Sequence, residues 1–120
     1  MNLAPETADQ RQARRYRTTL RGRLCGTLVT ARNISMGGAQ VACPIMLFEF
    51  LRSKLARGPA VLELPDDLFD LGLGCRVVYE NECDDEVLIG LALTDAPTGA
   101  ARSAFGELVE KIGRSAPGID

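Results

Sequence analysis

Polar and apolar residues alternate with a period of two along most of this chain, in short runs cut by glycine, proline and acidic clusters. Such runs read as half-buried strands, because successive side chains of a strand point to opposite faces. Thr18 to Leu24 alternates modestly, with Leu20 and Leu24 on one side, and Cys25-Gly26 turns the chain into a second strand from Thr27 to Ile34. A third strand, Gly38 to Cys43, is stopped by Pro44, which cannot donate to a ladder. Ala60 to Leu64 is a short strand after Gly58-Pro59. Leu71 to Glu80 and Glu86 to Asp95 are longer strands joined by the acidic loop Asn81-Glu82-Cys83-Asp84-Asp85. Six strands at near-regular spacing predict an all-β barrel or sandwich.

Two segments carry a helical period instead. Leu47, Phe48, Leu51 and Leu55 fit one face of a short helix over 45–55. Ala101, Phe105, Leu108, Val109 and Ile112 form a stripe over 98–112, with Thr98 placed to cap its start and Gly113 its end. A lone helix of this length is marginal in water, so it is expected to dock on an open end of the barrel.

At 120 residues the chain is one domain, long enough to bury a single core. Its organisation is read as a disordered lead over 1–10, a folded domain over 11–113 and a flexible tail over 114–120. The formal net charge of −2 conceals a polarity: residues 11–32 hold seven arginines and no acid, while the remainder has an acidic excess. That asymmetry points to a local anion site. Histidine is absent, and Cys25, Cys43, Cys75 and Cys83 are widely spaced without a CxxC pair, so metal ligation is not expected and the thiols read as small buried groups of a reducing compartment. The opening residues lack a cationic segment followed by an apolar core, and no run reaches the length of a membrane span, so a cytoplasmic protein without membrane insertion is expected.

Asn33-Ile34-Ser35-Met36-Gly37-Gly38 lies between two strand-like runs. In an extended chain Asn33 and Ser35 share a face and can point an amide and a hydroxyl at one ligand; the paired glycines permit a positive φ and the close approach of a flat group. The same residues equally suit a hairpin that bonds its own backbone. Upstream lie Arg11, Arg14, Arg15, Arg17, Arg21 and Arg23, in a segment over 11–17 without apolar period that reads as an arm without fixed structure.

An arginine arm, a strand pair and then NxSxxG, in that order, resemble the PilZ domain family of bacterial receptors for the second messenger cyclic di-GMP. Arg11-Gln12-Ala13-Arg14-Arg15 matches the family's RxxxR motif, and Asn33 to Gly38 matches its [D/N]xSxxG motif. Cys75-Arg76-Val77-Val78-Tyr79 and Leu88-Ile89-Gly90-Leu91-Ala92-Leu93 look like its paired late strands, so the resemblance covers roughly residues 11 to 112. It implies a six-stranded antiparallel β-barrel of the split-barrel type with a C-terminal helix, and a non-catalytic receptor. Arg11, Arg15, Asn33, Ser35 and Gly38 would be the ligand-binding residues, with Arg14 and Arg17 auxiliary; no cofactor beyond the ligand is implied. Arg17 to Arg21 also spells RxxxR, but Arg21 would lie inside the first strand. Family members commonly have an extended connection where residues 45–55 carry a helical pattern, and the first hairpin here is short.

The chemistry suits that ligand, a dianion of two guanines and two phosphates in a ring. A guanidinium forks onto phosphate oxygens or onto guanine O6 and N7, and its plane stacks on a base. Arg11 and Arg15 in an extended arm lie about 13 Å apart, enough to touch two parts of one ligand. Tyr16 is placed to stack on a base or to lie on the surface. Ordering of the arm on binding would expose a new surface to a downstream protein partner.

Other classes fare worse. No histidine, no nucleophile with an adjacent base and no phosphate loop argue against an enzyme, and Asp66, Asp67, Asp70, Asp84 and Asp85 sit in predicted turns. Tyr16 and Tyr79 are the only tyrosines and tryptophan is absent, which leaves few stacking platforms for nucleic acid. The alternative function is a PilZ-like protein-interaction adaptor with weak or no cyclic di-GMP binding.

Overall fold

In the computed structural model the described residues are 15–64, 71–94 and 99–115. The strands are β1 (Tyr16–Leu24), β2 (Thr27–Ser35), β3 (Gly38–Pro44), β4 (Ala60–Leu64), β5 (Leu71–Cys83) and β6 (Glu86–Leu93). Helix α1 (Ile45–Leu55) lies between β3 and β4, and α2 (Gly99–Ser115) follows β6. All neighbouring strands are antiparallel, in the order β1-β2-β3-β6-β5-β4, and β1 pairs back onto β4 to complete a ring of six.

Local chemistry sets the corners. Cys25 (φ 51°) and Gly26 (φ 83°) both take positive φ, as a tight two-residue hairpin matched to strand twist requires. Pro44 ends β3 at the start of α1, whose last turn carries the cations Arg52 and Lys54 at the negative end of the helix dipole. The Lys54 ammonium donates to the Cys25 carbonyl at 3.2 Å and ties α1 to the first hairpin. Leu24, Ile34, Val41, Leu62, Leu64, Leu73 and Ile89 fill the ring's interior. Phe48 and Leu51 of α1, and Phe105, Leu108 and Val109 of α2, join the same cluster. The α2 stripe is therefore docked as its spacing requires; the side chain of Ala101 lies outside the described residues.

Several expected boundaries move. Tyr16 and Arg17 belong to β1 rather than to an unstructured arm, because Tyr16 pairs with Ile34 and Arg17 with Asn33. The acidic loop over 81–85 contracts to Asp84-Asp85: Asn81, Glu82 and Cys83 continue β5 past Glu80 against Leu88, Val87 and Glu86 of β6, exposed at successive positions and so without apolar alternation. Asp84 supplies the positive φ (58°) that this turn needs. Helix α2 runs to Ser115, past Gly113, so the tail expected from 114 begins inside the helix. Residues 45–55 are helical. Asp95 and Thr98 lie outside the described residues, as do Asp66, Asp67 and Asp70. No helix among the described residues is long and apolar enough to cross a membrane.

Candidate functional site

The ladder has three register shifts, one of them between Arg17 and Leu20 of β1, and the other two decide which way the polar side chains of β2 and β5 point. In β2, Thr27, Val29 and Ala31 are buried at every second position, a rhythm that would send Asn33 inward. Against β3 the register shifts between Ala31 and Asn33, with Ala31 opposite Val41 and Asn33 opposite Gln40, so Arg32 is the extra residue. A bulge of this kind re-aims the side chains after it. Ile34 becomes the inward residue, fully buried, and Asn33 turns to the face that carries Arg17. In β5 the register shifts between Val77 and Tyr79, leaving Val78 unpaired and exposed and turning Tyr79 outward opposite Gly90.

These shifts align one lateral row across five strands: Arg17 beside Asn33, Asn33 beside Gln40, Gln40 beside Gly90, and Gly90 beside Tyr79. The row is wired. Asn33 Nδ2 donates to Gln40 Oε1 at 3.1 Å, and Gln40 Nε2 donates to the Tyr79 hydroxyl oxygen at 2.8 Å. Tyr79 reaches Gln40 by lying over Gly90, where a Cβ would fall 2.1 Å from ring atom Cε2. Asn33 is nearly buried yet its Oδ1 has no partner among the described residues, so a carbonyl oxygen remains for an incoming donor.

Beside the row lies an open cleft of ≈ 510 Å³, lined by Arg17, Thr18, Thr19, Arg32, Asn33 and Gln40. Among the described residues, the lining holds two guanidinium groups and no acid. A second cleft of ≈ 410 Å³, between the end of α1 and β5, has Arg52, Arg76 and Glu80 in its lining and none of the motif residues.

The expected site residues distribute as follows. Arg11 and Arg14 lie outside the described residues. Arg15 is exposed and precedes Tyr16, which pairs with Ile34; one step further along the antiparallel ladder puts Arg15 level with Ser35, on the face shared by Arg17 and Asn33. Neither Arg15 nor Arg17 has an ion-pair partner among the described residues. Asn33 and Ser35 do share a face, but Ser35 Oγ is spent on the hairpin, donating to the Gly38 carbonyl at a long 3.5 Å.

Gly37 and Gly38 take no positive φ. The strands need only a two-residue turn at Met36-Gly37, which an ordinary backbone supplies. Gly38 is required for another reason: a Cβ there would fall 2.0 Å from the Leu91 carbonyl oxygen, so β6 occupies the approach expected for a ligand. Gly37 is the open position, with nothing within 4 Å of an added Cβ. Tyr16 is neither a free stacking platform nor a surface residue. Its ring packs on Gly113 of α2, 2.8 Å from where a Cβ would stand, which anchors the start of β1 next to Arg15.

Gln40 and Tyr79 are the site residues that sequence reasoning missed. A glutamine inside the apolar run Gly38 to Cys43 and a glycine inside the apolar run Val87 to Leu93 were the available signals. The pairing that joins them needs the two bulges, which no sequence pattern announces. Comparison with protein-family models, with curated proteins and with solved structures finds no match for this chain.

Proposed function

We propose that this chain is a non-catalytic receptor for cyclic di-GMP, a PilZ-like split barrel that holds the ligand on the outer face of β1, β2 and β3 and signals to a protein partner. The observation that carries the reading is the grouping of Arg15, Arg17, Asn33 and Ser35 on one face, beside a cleft with no acid among the described residues of its lining. Its ≈ 510 Å³ falls in the range of small-molecule sites. Arg15 and Arg17 supply charge and stacking planes for phosphates and guanines. The free Oδ1 of Asn33 accepts from a guanine edge, held in place by Gln40 and Tyr79. Arg17, ranked auxiliary in the motif, is the arginine whose register pairs it with Asn33.

The adaptor reading has one observation in its favour. Helix α1 presents Met46, 88% exposed, and Phe50, 59% exposed, to solvent, as a protein-docking helix would. Titration calorimetry separates the two. Wild-type protein is expected to bind cyclic di-GMP at about micromolar affinity or tighter and to ignore GTP, with Arg15→Ala abolishing the heat and Asn33→Ala weakening it about tenfold. Flat traces for the wild type would leave only the adaptor. Equal binding of GTP would reduce the site to a nonspecific anion patch.

A further inference from the structure

Of the two cations among the described residues lining the cleft, Arg32 already holds an anion. Its Nη2 donates to Glu86 Oε1 at 2.8 Å and to Oε2 at 2.9 Å. Because Nη2 alone serves both carboxylate oxygens, Nη1 and Nε have no partner among the described residues. The guanidinium is thus half used, and a fork of this geometry accepts a phosphate as readily as a carboxylate. The pair is also exchangeable. Its side chains are 44% and 32% exposed, and an ion pair so open to water contributes little to stability.

Position argues the same way. Arg32 is the extra residue of the β2 bulge, stands where Thr18 and Thr19 oppose β2, directly precedes Asn33, and lines the cleft, whereas Glu86 at the start of β6 does not. A bulge costs ladder pairing; this one puts a cation and a carbonyl acceptor side by side at the cleft.

We infer that Arg32 is a phosphate-binding residue of this cleft, held by Glu86 in the unliganded protein and transferred to a phosphodiester oxygen when the ligand enters. The inference rests on the receptor reading and adds to it a residue outside both motifs and a built-in competitor. Glu86 is then a brake on affinity, so the two partners of one ion pair act in opposite directions. A merely structural pair gives the same sign for both.

The test is calorimetry on wild type, Arg32→Ala, Glu86→Gln and the double variant, with cyclic di-GMP and separately with pyrophosphate as a base-free anion, each variant first checked by thermal unfolding. Arg32→Ala should weaken cyclic di-GMP binding about tenfold and Glu86→Gln should tighten it about threefold or more, the scale of one charged hydrogen-bonded contact. The double variant should match Arg32→Ala. Tightening that persists in the Arg32→Ala background would mean a long-range field effect of removing a negative charge and would overturn the inference. So would weakening by both single variants, or no change in either, while wild-type binding leaves the receptor reading standing. A wild type that takes neither probe ends both.

Discussion

Cys75 is the buried thiol whose titration the fold moves furthest. It is 4% exposed, its Sγ points at the Ala60 carbonyl, and burial is the main reason its thiol rises from the ordinary 9.0 to about 11. Charge on Cys25 adds to the rise, and the hydrogen bond with the Leu62 backbone opposes it. Cys43 is raised by burial as well. A folded value above the unfolded one means that the fold favours the neutral thiol. The stability it contributes is therefore complete below the unfolded value and is lost as pH rises from about 9 toward about 11. The expected loss is about 2–3 kcal/mol by urea unfolding at pH 7 and pH 11, reduced in Cys75→Ala. At pH 7 a thiol reagent should modify the exposed Cys83 first and leave Cys43 and Cys75 intact until the chain unfolds. Early modification of Cys75 in folded protein would show that its burial is not maintained in solution.

Helix α2 connects the core to the candidate site. Phe105 and Val109 are each 1% exposed, and the ring of Tyr16 lies on Gly113, so the helix that closes the core also holds the residue beside Arg15. Met36, in the turn of the second motif, comes within 3.8 Å of a Cβ built at Gly106. Phe105→Ala should cost about 3–5 kcal/mol in denaturant unfolding, and in whatever folded protein remains it should weaken ligand binding by loosening Tyr16. Full-strength binding in a destabilised variant would separate the helix from the site. The helix itself was plain in the sequence, because Phe105, Leu108, Val109 and Ile112 keep a period of three and four; so were the strands, whose period of two is imposed by a buried inner face. Legibility failed where one face was not decisive. Tyr16 and Arg17 looked like arm because the residues that hold them, Ile34 and Asn33 across the ladder and Gly113 against the Tyr16 ring, are distant in sequence, and Asn81 to Cys83 looked like loop because they are exposed at successive positions of β5. The candidate site was half legible for the same reason. Asn33 and Ser35 share a face by simple alternation, but which face, and that Gln40 and Tyr79 share it, depends on extra residues at Arg32 and Val78.

At the scale of the whole molecule, the ring has one thin joint. β5 and β6 pair along Cys75 to Cys83, whereas β1 meets β4 only at Arg23 opposite Glu63 and Leu24 opposite Leu62, with one further hydrogen bond from the Cys25 amide to the Val61 carbonyl at 2.9 Å. So short a joint survives because Gly22 lets the strands close on each other. A Cβ at that position would fall 2.4 Å from the Glu63 carbonyl oxygen and 3.0 Å from Leu64 Cδ2, and backbone on the far side cannot step back without leaving its own ladder with β5. Opening there exposes Leu24, Leu62 and Leu64, all fully or almost fully buried, yet breaks few backbone bonds, so the ring should open along this line before it unfolds globally. Native-state hydrogen exchange reads this directly: the Cys25 amide, bonded across the joint to Val61, and the Arg23 and Glu63 amides, which ladder alternation turns the same way, should exchange well before those of Val87 to Leu91. Gly22→Ala should destabilise the protein by about 1–3 kcal/mol and speed exchange along the joint far more than in β5 and β6. The candidate cleft lies toward the other end of β1, at Arg17 to Thr19, so the same variant should keep the affinity of the wild type for cyclic di-GMP at temperatures where it remains folded. Uniform exchange across all six strands would mean that the ring opens only as a unit, and that the β1–β4 joint is stronger than its two pairs suggest.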